Sequence, residues 1–229
     1  MPSVFPSAIQ GWFDQKGWTP HPHQLKMMAH QNVSAALLIA PTGSGKTMAG
    51  FLPSLASLAE SPRQGMHTLY VSPLKALAAD IKRNLRTPIN EIGLDIRVEE
   101  RTGDTSPTLK RRQRVDPPQI LLTTPESLAL LTSYEDNRRM FSGLQRVIID
   151  EIHALSESKR GDQLMLALAA IQSICPDLKR VGLSATVKDS RLAANFLSYN
   201  SNYCEIVKLG NVALPNVEML KISETAPGM

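Results

Sequence analysis

The chain predicts an α/β domain, a three-layer sandwich with a mostly parallel central sheet and helices on both faces. Short Val/Ile/Leu-rich runs alternate with helical patterns along its whole length. Most of these runs are apolar on both faces of a strand, which is the signature of a parallel sheet covered on both sides and joined by right-handed crossovers. The first run also leads into a glycine-rich loop that opens a helix, the order of a phosphate-binding unit. With 229 residues, 42% of them hydrophobic and 20% charged, the chain can bury one sizeable core, and one domain is the economical reading.

In chain order, a helical pattern occupies 24–31 and the apolar run 35–40 reads as the first strand. A helix over 46–58 follows the glycine-rich loop, then a strand over 68–72 and a helix over 74–91. The next units are a strand at 95–99 with a helix at 108–113, and a strand at 119–123 with a helix at 125–131. The strand 146–150 is followed by a helix over 161–173, the strand 180–184 by a helix over 189–198, and 204–209 reads as a last strand. From Asn211 onward periodicity fades, and Pro215 and the Thr225-Ala226-Pro227-Gly228 end read as a linker. No internal repeat or low-complexity tract interrupts this alternation.

Ligands of open parallel sheets bind beyond the carboxyl ends of the strands, so the residues after each strand carry the chemistry. The loop Ala40-Pro41-Thr42-Gly43-Ser44-Gly45-Lys46-Thr47 follows the first strand. Backbone N–H groups of Thr42, Gly43, Ser44 and Gly45 would wrap nucleotide phosphates, and glycines permit the close approach. Lys46 would reach the β- and γ-phosphates, and Thr47 would ligate Mg²⁺. A flexible connector is the bland alternative, and the strand–loop–helix setting with Lys-Thr argues against it. Asp150 and Glu151 end the buried run Arg146-Val147-Ile148-Ile149, where unpaired carboxylates are costly. Asp150 would hold Mg²⁺ and Glu151, pointing to the other side of the strand, would orient and deprotonate the attacking water. The competing reading makes either acid a helix cap.

The net charge is +4, with basic clusters at Lys82-Arg83-Arg86, Lys110-Arg111-Arg112-Arg114, Arg138-Arg139 and Lys159-Arg160. They suit a polyanion partner or, equally, solvated helix faces. Cys175 and Cys204 lie far apart without a metal-binding spacing, so reduced structural thiols are expected. There is no signal-peptide pattern and no run of about 20 apolar residues, so a cytoplasmic protein without a membrane span is expected.

These segments resemble the motifs of superfamily 2 helicases. Ala40–Thr47 is similar to motif I, with Ala40 in place of the usual first glycine, and Asp150-Glu151-Ile152-His153 to the DExH box. Ser72-Pro73-Leu74-Lys75-Ala76-Leu77 resembles motif Ia, Thr123-Thr124-Pro125-Glu126-Ser127-Leu128 motif Ib, and Gly182-Leu183-Ser184-Ala185-Thr186 motif III. Arg101-Thr102-Gly103-Asp104-Thr105, and Gly17-Trp18-Thr19-Pro20-His21-Pro22-His23-Gln24 within a Q-motif region at 12–31, resemble the ligase-associated, Lhr-like branch. The resemblance implies a RecA-like P-loop NTPase fold over 1–210, the first of two motor lobes, binding ATP and Mg²⁺. It makes Lys46, Asp150 and Glu151 catalytic and Gln24 an adenine-reading amide, with Trp18 or Phe13 either stacked on the base or in the core. It makes His153, Ser184 and Thr186 coupling residues. Ser72, Pro73, Lys75, Arg101, Thr124 and Pro125 would contact the backbone of single-stranded DNA.

The expected activity is that of an ATP-dependent 3′-to-5′ DNA helicase in repair, alongside partners such as a ligase or nuclease. An RNA helicase lobe is the near alternative; a small-molecule P-loop kinase and a non-catalytic nucleic-acid module are the others. Arg191 is the last arginine. No second-lobe motif follows Thr186, so 211–229 is expected to lead toward a second RecA-like lobe, and the first lobe alone to bind ATP and Mg²⁺ but hydrolyse ATP slowly.

Overall fold

The computed structural model describes residues 4–186, 189–198 and 203–209, with only the backbone of Leu77 and Ala78. The expected linker at 211–229 lies outside the described residues. Among the described residues seven strands form one sheet: β1 (Ala35–Ile39), β2 (Thr68–Val71), β3 (Val98–Arg101), β4 (Ile120–Thr123), β5 (Arg146–Ile149), β6 (Lys179–Ser184) and β7 (Cys204–Lys208). Their order is β3-β4-β2-β5-β6-β1-β7, and every pairing is parallel. The three-layer sandwich expected from the sequence is the one observed.

The period-two alternation of side chains sorts the core into its two halves. Ala36, Leu38, Tyr70, Leu122, Ile148 and Leu183 face one layer, built from α1 (Ser7–Lys16), α2 (Pro22–Ala29), α3 (Lys46–Glu60) and α4 (Lys75–Ile92). Leu37, Leu69, Val71, Leu121, Val147 and Ile149 face the other, built from α6 (Pro125–Thr132), α7 (Asn137–Phe141), α8 (Ile152–Leu155), α9 (Lys159–Ile174) and α10 (Ser190–Leu197). The remaining helix, α5 (Pro107–Val115), starts at Ser106, whose hydroxyl accepts from Leu109 N at 3.3 Å with Pro107 at the first position.

Two differences from the sequence reading have clear causes. The third strand lies at Val98–Arg101 rather than 95–99, because Gln113 Nε2 donates to Glu100 O and Thr123 Oγ1 donates to Arg101 O, pinning that segment at the sheet edge. The helix α1 was not anticipated, although Ile9, Trp12 and Phe13 are spaced for one apolar helical face and all three are buried.

Behind α9, Gly161 lies so close to the end of α8 that a Cβ there would sit 1.9 Å from Leu155 O. No side chain fits, and the glycine lets the two helices meet. At the opposite edge from the strand carboxyl ends, a polar cluster is buried. His67 just before β2 pairs its ring with Thr68 Oγ1 at 2.8 Å and Ser57 Oγ at 3.1 Å. Beside it Arg146 donates to Gln31 O at 2.9 Å, and burial lowers its pKa to about 10. Burial first, and then the charges of Arg146, Arg63 and Lys179, pull His67 down to about 3.

A histidine depressed from 6.5 to about 3 stays neutral in the fold while the unfolded chain takes up a proton. Its contribution is therefore complete above pH 6.5 and lost as pH falls toward 3. Denaturant unfolding at pH 7.5 and 5.5 should show the native chain losing stability with a His67 component of about 1.4 kcal/mol in total between the two, absent in His67→Gln. Equal slopes for the two proteins would refute this assignment.

Candidate nucleotide and nucleic-acid site

Parallel register brings the ends of five strands to one edge. Ile39 pairs with Ser184, and Val71 with both Thr123 and Ile149. Ala40, Ser72, Thr124 and Asp150, each the next residue after its strand, therefore line up there.

The loop after β1 is built for close approach. Gly43 and Gly45 adopt left-handed φ of 79° and 77°. A Cβ on Gly45 would also lie 3.3 Å from Gln24 Nε2, so glycine is required there for both conformation and space. Ser44 closes the turn on Pro41 O, through its hydroxyl at 2.7 Å and its amide at 3.3 Å. Lys46 is buried at the first turn of α3, adding its charge to the positive end of the helix dipole.

Across from the loop, β5 stops at Ile149. Asp150 is 4% exposed; Tyr70 Oη–H donates to its Oδ2 and Glu151 N to its Oδ1 at 3.0 Å. Glu151 has φ of 48°, the one non-glycine left-handed residue among the described residues. That turn corrects the expectation that Glu151 points to the other side of the strand from Asp150. Both acids line one cavity of about 340 Å³ together with Thr42, Gly43, Lys46 and Thr47. Glu151 Oε1 lies 3.5 Å from Lys46 Nζ. Its Oε2 is buried and accepts no hydrogen bond among the described residues, with His153 Nδ1 3.3 Å away.

Ser184 Oγ donates to Thr186 O at 2.8 Å, so the 2.9 Å bond between Ser184 Oγ and His153 requires Nδ1–H to be the donor. The three residues expected to couple sites thus form one chain from His153 through Ser184 to Thr186 O, beginning 3.3 Å from Glu151.

A second cavity of about 540 Å³ adjoins the first, sharing Gly43, Gly45 and Met48, and is walled by Phe13, Trp18 and Gln24. Phe13 is a core residue, packed edge-on against Trp12 with centroids 5.0 Å apart. Trp18 is 55% exposed, edge-on to Trp12, and is the aromatic open to a ligand in this cavity. Gln24 Oε1 accepts from His21 N at 2.8 Å in a capping box, leaving Nε2 directed at the loop. The sequence reading gave this amide both a donor and an acceptor for adenine; the cap occupies the acceptor side. His23 was missed, although it neighbours Gln24. It is buried and stacked on His21; burial foremost, with His21 adding, lowers its pKa, so the ring packs neutral near the Ser44 backbone.

Among the residues expected to touch nucleic acid, Ser72 and Thr124 are buried and bonded to backbone amides within two or three residues. Ser72 Oγ accepts from Leu74 N at 3.3 Å, and Thr124 Oγ1 from Ser127 N at 3.4 Å. Thr124 caps α6, while Ser72 closes the turn that leads into α4, whose own N-cap is Leu74. Pro73 is half-buried, Pro125 is buried at the first position of α6, and Lys75 is exposed with its ammonium 3.0 Å from Asp104. Arg101 departs from expectation. It is 3% exposed, donates to Lys110 O at 2.7 Å and lies over the Tyr134 ring, so packing removes it from the surface. Arg160 was seen only as part of a charge cluster. It donates to Pro73 O at 2.8 Å and pairs with Glu126, tying the segments after β2 and β4 together.

A family profile described as DEAD/DEAH box helicase matches residues 21–194. The chain belongs to that family. It is 43% identical over 209 residues to the Lhr helicase/probable uracil glycosylase of Mycolicibacterium smegmatis, spanning 85% of this chain and 14% of that protein. It is 39% identical over 220 residues to the ATP-dependent helicase Lhr-Core of Methanocaldococcus jannaschii, spanning 89% of this chain and 26% of that one. The structure of Mycobacterium smegmatis helicase Lhr bound to ssDNA and AMP-PNP superposes with a TM-score of 0.82 at 40% identity, over 90% of this chain and 28% of that one. The RecA-like helicase fold expected from the motifs is therefore the fold of this helicase domain. No helix of the described residues is long and apolar enough to cross a membrane.

Replacing Gly45 with Ala in this helicase domain forces a side chain onto a left-handed backbone and against Gln24. Affinity for a fluorescent ATP analogue should fall roughly tenfold, the equivalent of about 1–2 kcal/mol of strain, with the far-UV circular dichroism unchanged. Native affinity in the variant would refute the close-approach role.

Proposed function

We propose that this chain is the ATP-binding motor lobe of an Lhr-like, ATP-dependent DNA helicase or translocase. In this reading 1–210 form the lobe and 211–229 lead toward a second RecA-like lobe. The observation that carries it is the convergence of Lys46, Asp150 and Glu151 on one cavity that opens into the Trp18- and Gln24-walled cavity beside it. A base and its phosphates need such a pair of connected spaces. The ssDNA in the M. smegmatis Lhr structure supports DNA as the polymer. Translocation from 3′ to 5′, a place in DNA repair beside a ligase or nuclease, and a cytoplasmic location complete the proposal.

The buried Asp150 carboxylate and the Thr47 hydroxyl on the same cavity wall fit a hard divalent cation. These two residues would hold Mg²⁺, which when bound neutralises charge on the β- and γ-phosphates. The chain's own groups do the rest. Amides at Gly43 to Lys46 and the α3 dipole bind phosphate oxygens, and Lys46 adds a full charge. Glu151 Oε2 can accept the proton of an attacking water, while Lys46 beside Oε1 holds that carboxylate in place. Ser72, Thr124 and the helix starts that follow them would contact the nucleic-acid backbone together with Pro73, Lys75 and Pro125, without reading base identity.

Glu151→Gln keeps the shape of the site and removes its base. The variant should bind an ATP analogue with Mg²⁺ within about threefold of the native chain, while the slow single-turnover hydrolysis expected of one lobe drops by about 10²–10⁴. Hydrolysis at the native rate would overturn the assignment of Glu151.

A further inference from the structure

Arg160 is the second residue of α9, where a cation opposes the positive end of the helix dipole, so its place is set by partners outside the helix. Two segments supply them. Nη2 donates to Pro73 O at 2.8 Å, while Nε donates to Glu126 Oε1 and Nη2 lies 3.3 Å from Oε2, a two-pronged pairing with the carboxylate. That pairing is the main cause that holds Glu126 below its usual pKa. Pro73 precedes Leu74, the N-cap of α4, and Glu126 lies in the first turn of α6. One planar guanidinium therefore spans the starts of both helices at the edge beyond β2 and β4.

The backbone of Arg160 is tied to the acids. The helix α8 begins directly after Glu151, with Ala154 N donating to Glu151 O at 2.8 Å. Between α8 and α9, Ser158 bonds in both directions. Its N and Oγ each donate to Leu155 O at 3.0 Å, and its O and Oγ accept from Gly161 N at 2.8 and 3.2 Å. A Cβ on Gly161 would sit 1.9 Å from Leu155 O, so the two helices meet at a joint without spare room. The segment from Ile152 to Arg160 is thereby held as one unit.

We propose that Arg160 is a positioning residue that couples the nucleotide cavity to the nucleic-acid edge, by joining the segment that leaves Glu151 to the starts of α4 and α6. This rests on the reading of the site as a Mg²⁺–ATP and DNA site. Glu151 lines the cavity in a left-handed turn immediately before α8, so a nucleotide that draws its carboxylate turns the start of that helix. The joint at Ser158 and Gly161 passes the turn to Arg160, and the guanidinium passes it to Pro73 O and Glu126 together. The route differs from the His153–Ser184–Thr186 chain, which runs to the end of β6.

The test is a thermodynamic cycle on the full chain: affinity for an oligodeoxythymidine strand with and without Mg²⁺ and a non-hydrolysable ATP analogue. In the native chain the nucleotide should change strand affinity by about 5- to 150-fold, the usual range of coupling. Uniform changes in strand affinity cancel in that factor. Arg160→Lys keeps the charge but lacks the planar fork, and should bring the factor to within about twofold of unity. A lysine variant with the native factor overturns the proposal, since Arg160 would then act through its charge alone. Should Arg160→Lys fail to fold, Glu126→Ala breaks the bridge from its other side and should lower the factor in the same way. Removing that negative charge would, by simple electrostatics, tighten strand binding equally in both states, and a native factor in this variant overturns the proposal. A factor near unity in the native chain, with both ligands bound, also overturns it. Absence of nucleotide or strand binding in the native chain overturns the functional reading instead, which keeps the two failures apart.

Discussion

Two adjacent carboxylates stand at the end of the central strand β5, at the edge of an apolar core. Buried acids of that kind need cations or donors close by. Each finds a different one: Asp150 takes Tyr70 and a backbone amide, and Glu151 takes Lys46 at 3.5 Å. Lys46 in turn is buried where α3 begins, and α3 can begin there only because glycines at 43 and 45 accept left-handed backbone. The loop, the helix and the strand end thus depend on one electrostatic requirement. Glu151 reaches Lys46 by itself adopting a left-handed turn, a strain that a non-glycine residue tolerates at functional sites when its surroundings hold it.

The sheet separates chemistry from framework. Its carboxyl edge collects hydroxyls, amides and acids that a ligand can use. The opposite edge buries His67, Arg146 and Arg180 among backbone carbonyls, amides and hydroxyls. There burial first, and then three nearby cations, keep the histidine neutral. Polar groups in such an edge fix strand register, since a shift of one residue would strip each of its partner.

The parallel sheet and both strand ends that carry the candidate site were legible because buried strands leave continuous apolar runs and the glycine loop has few other uses. The strand at the β3 edge was not: Val98-Glu99-Glu100-Arg101 has almost no apolar content, and its position is set by contacts from Gln113 and Thr123 far along the chain. Ile9, Trp12 and Phe13 carried a helical signal for α1 that the glycine at 11 obscured. The direction of Glu151 could not be read, because alternation along a strand stops applying once the strand ends. The acceptor side of Gln24 was hidden for a related reason. Its cap on His21 is a local bond that competes with any ligand for the same atom.

Charge illustrates why composition is a poor guide to a nucleic-acid face. The densest basic run lies in and around α5, yet Arg112 pairs with Glu99, Arg114 with Asp136, and Lys110 donates to Gly103 O at 2.7 Å. Arg97 pairs with Asp116 beside them. These cations fasten α5 to the sheet edge and to α7, and much of their field is cancelled where it arises. The edge that carries motif-bearing loops has fewer cations. What it offers is oriented backbone: helix starts at α4 and α6, the second capped by Thr124, with the segments before them braced by Arg160 across Pro73 and Glu126. Amides fixed in this way bind phosphate without regard to sequence and lose less to salt than mobile lysines do. In the motor lobe proposed above, phosphates released and rebound at every step would be better served by such fixed, modest dipoles than by a patch of surface charge.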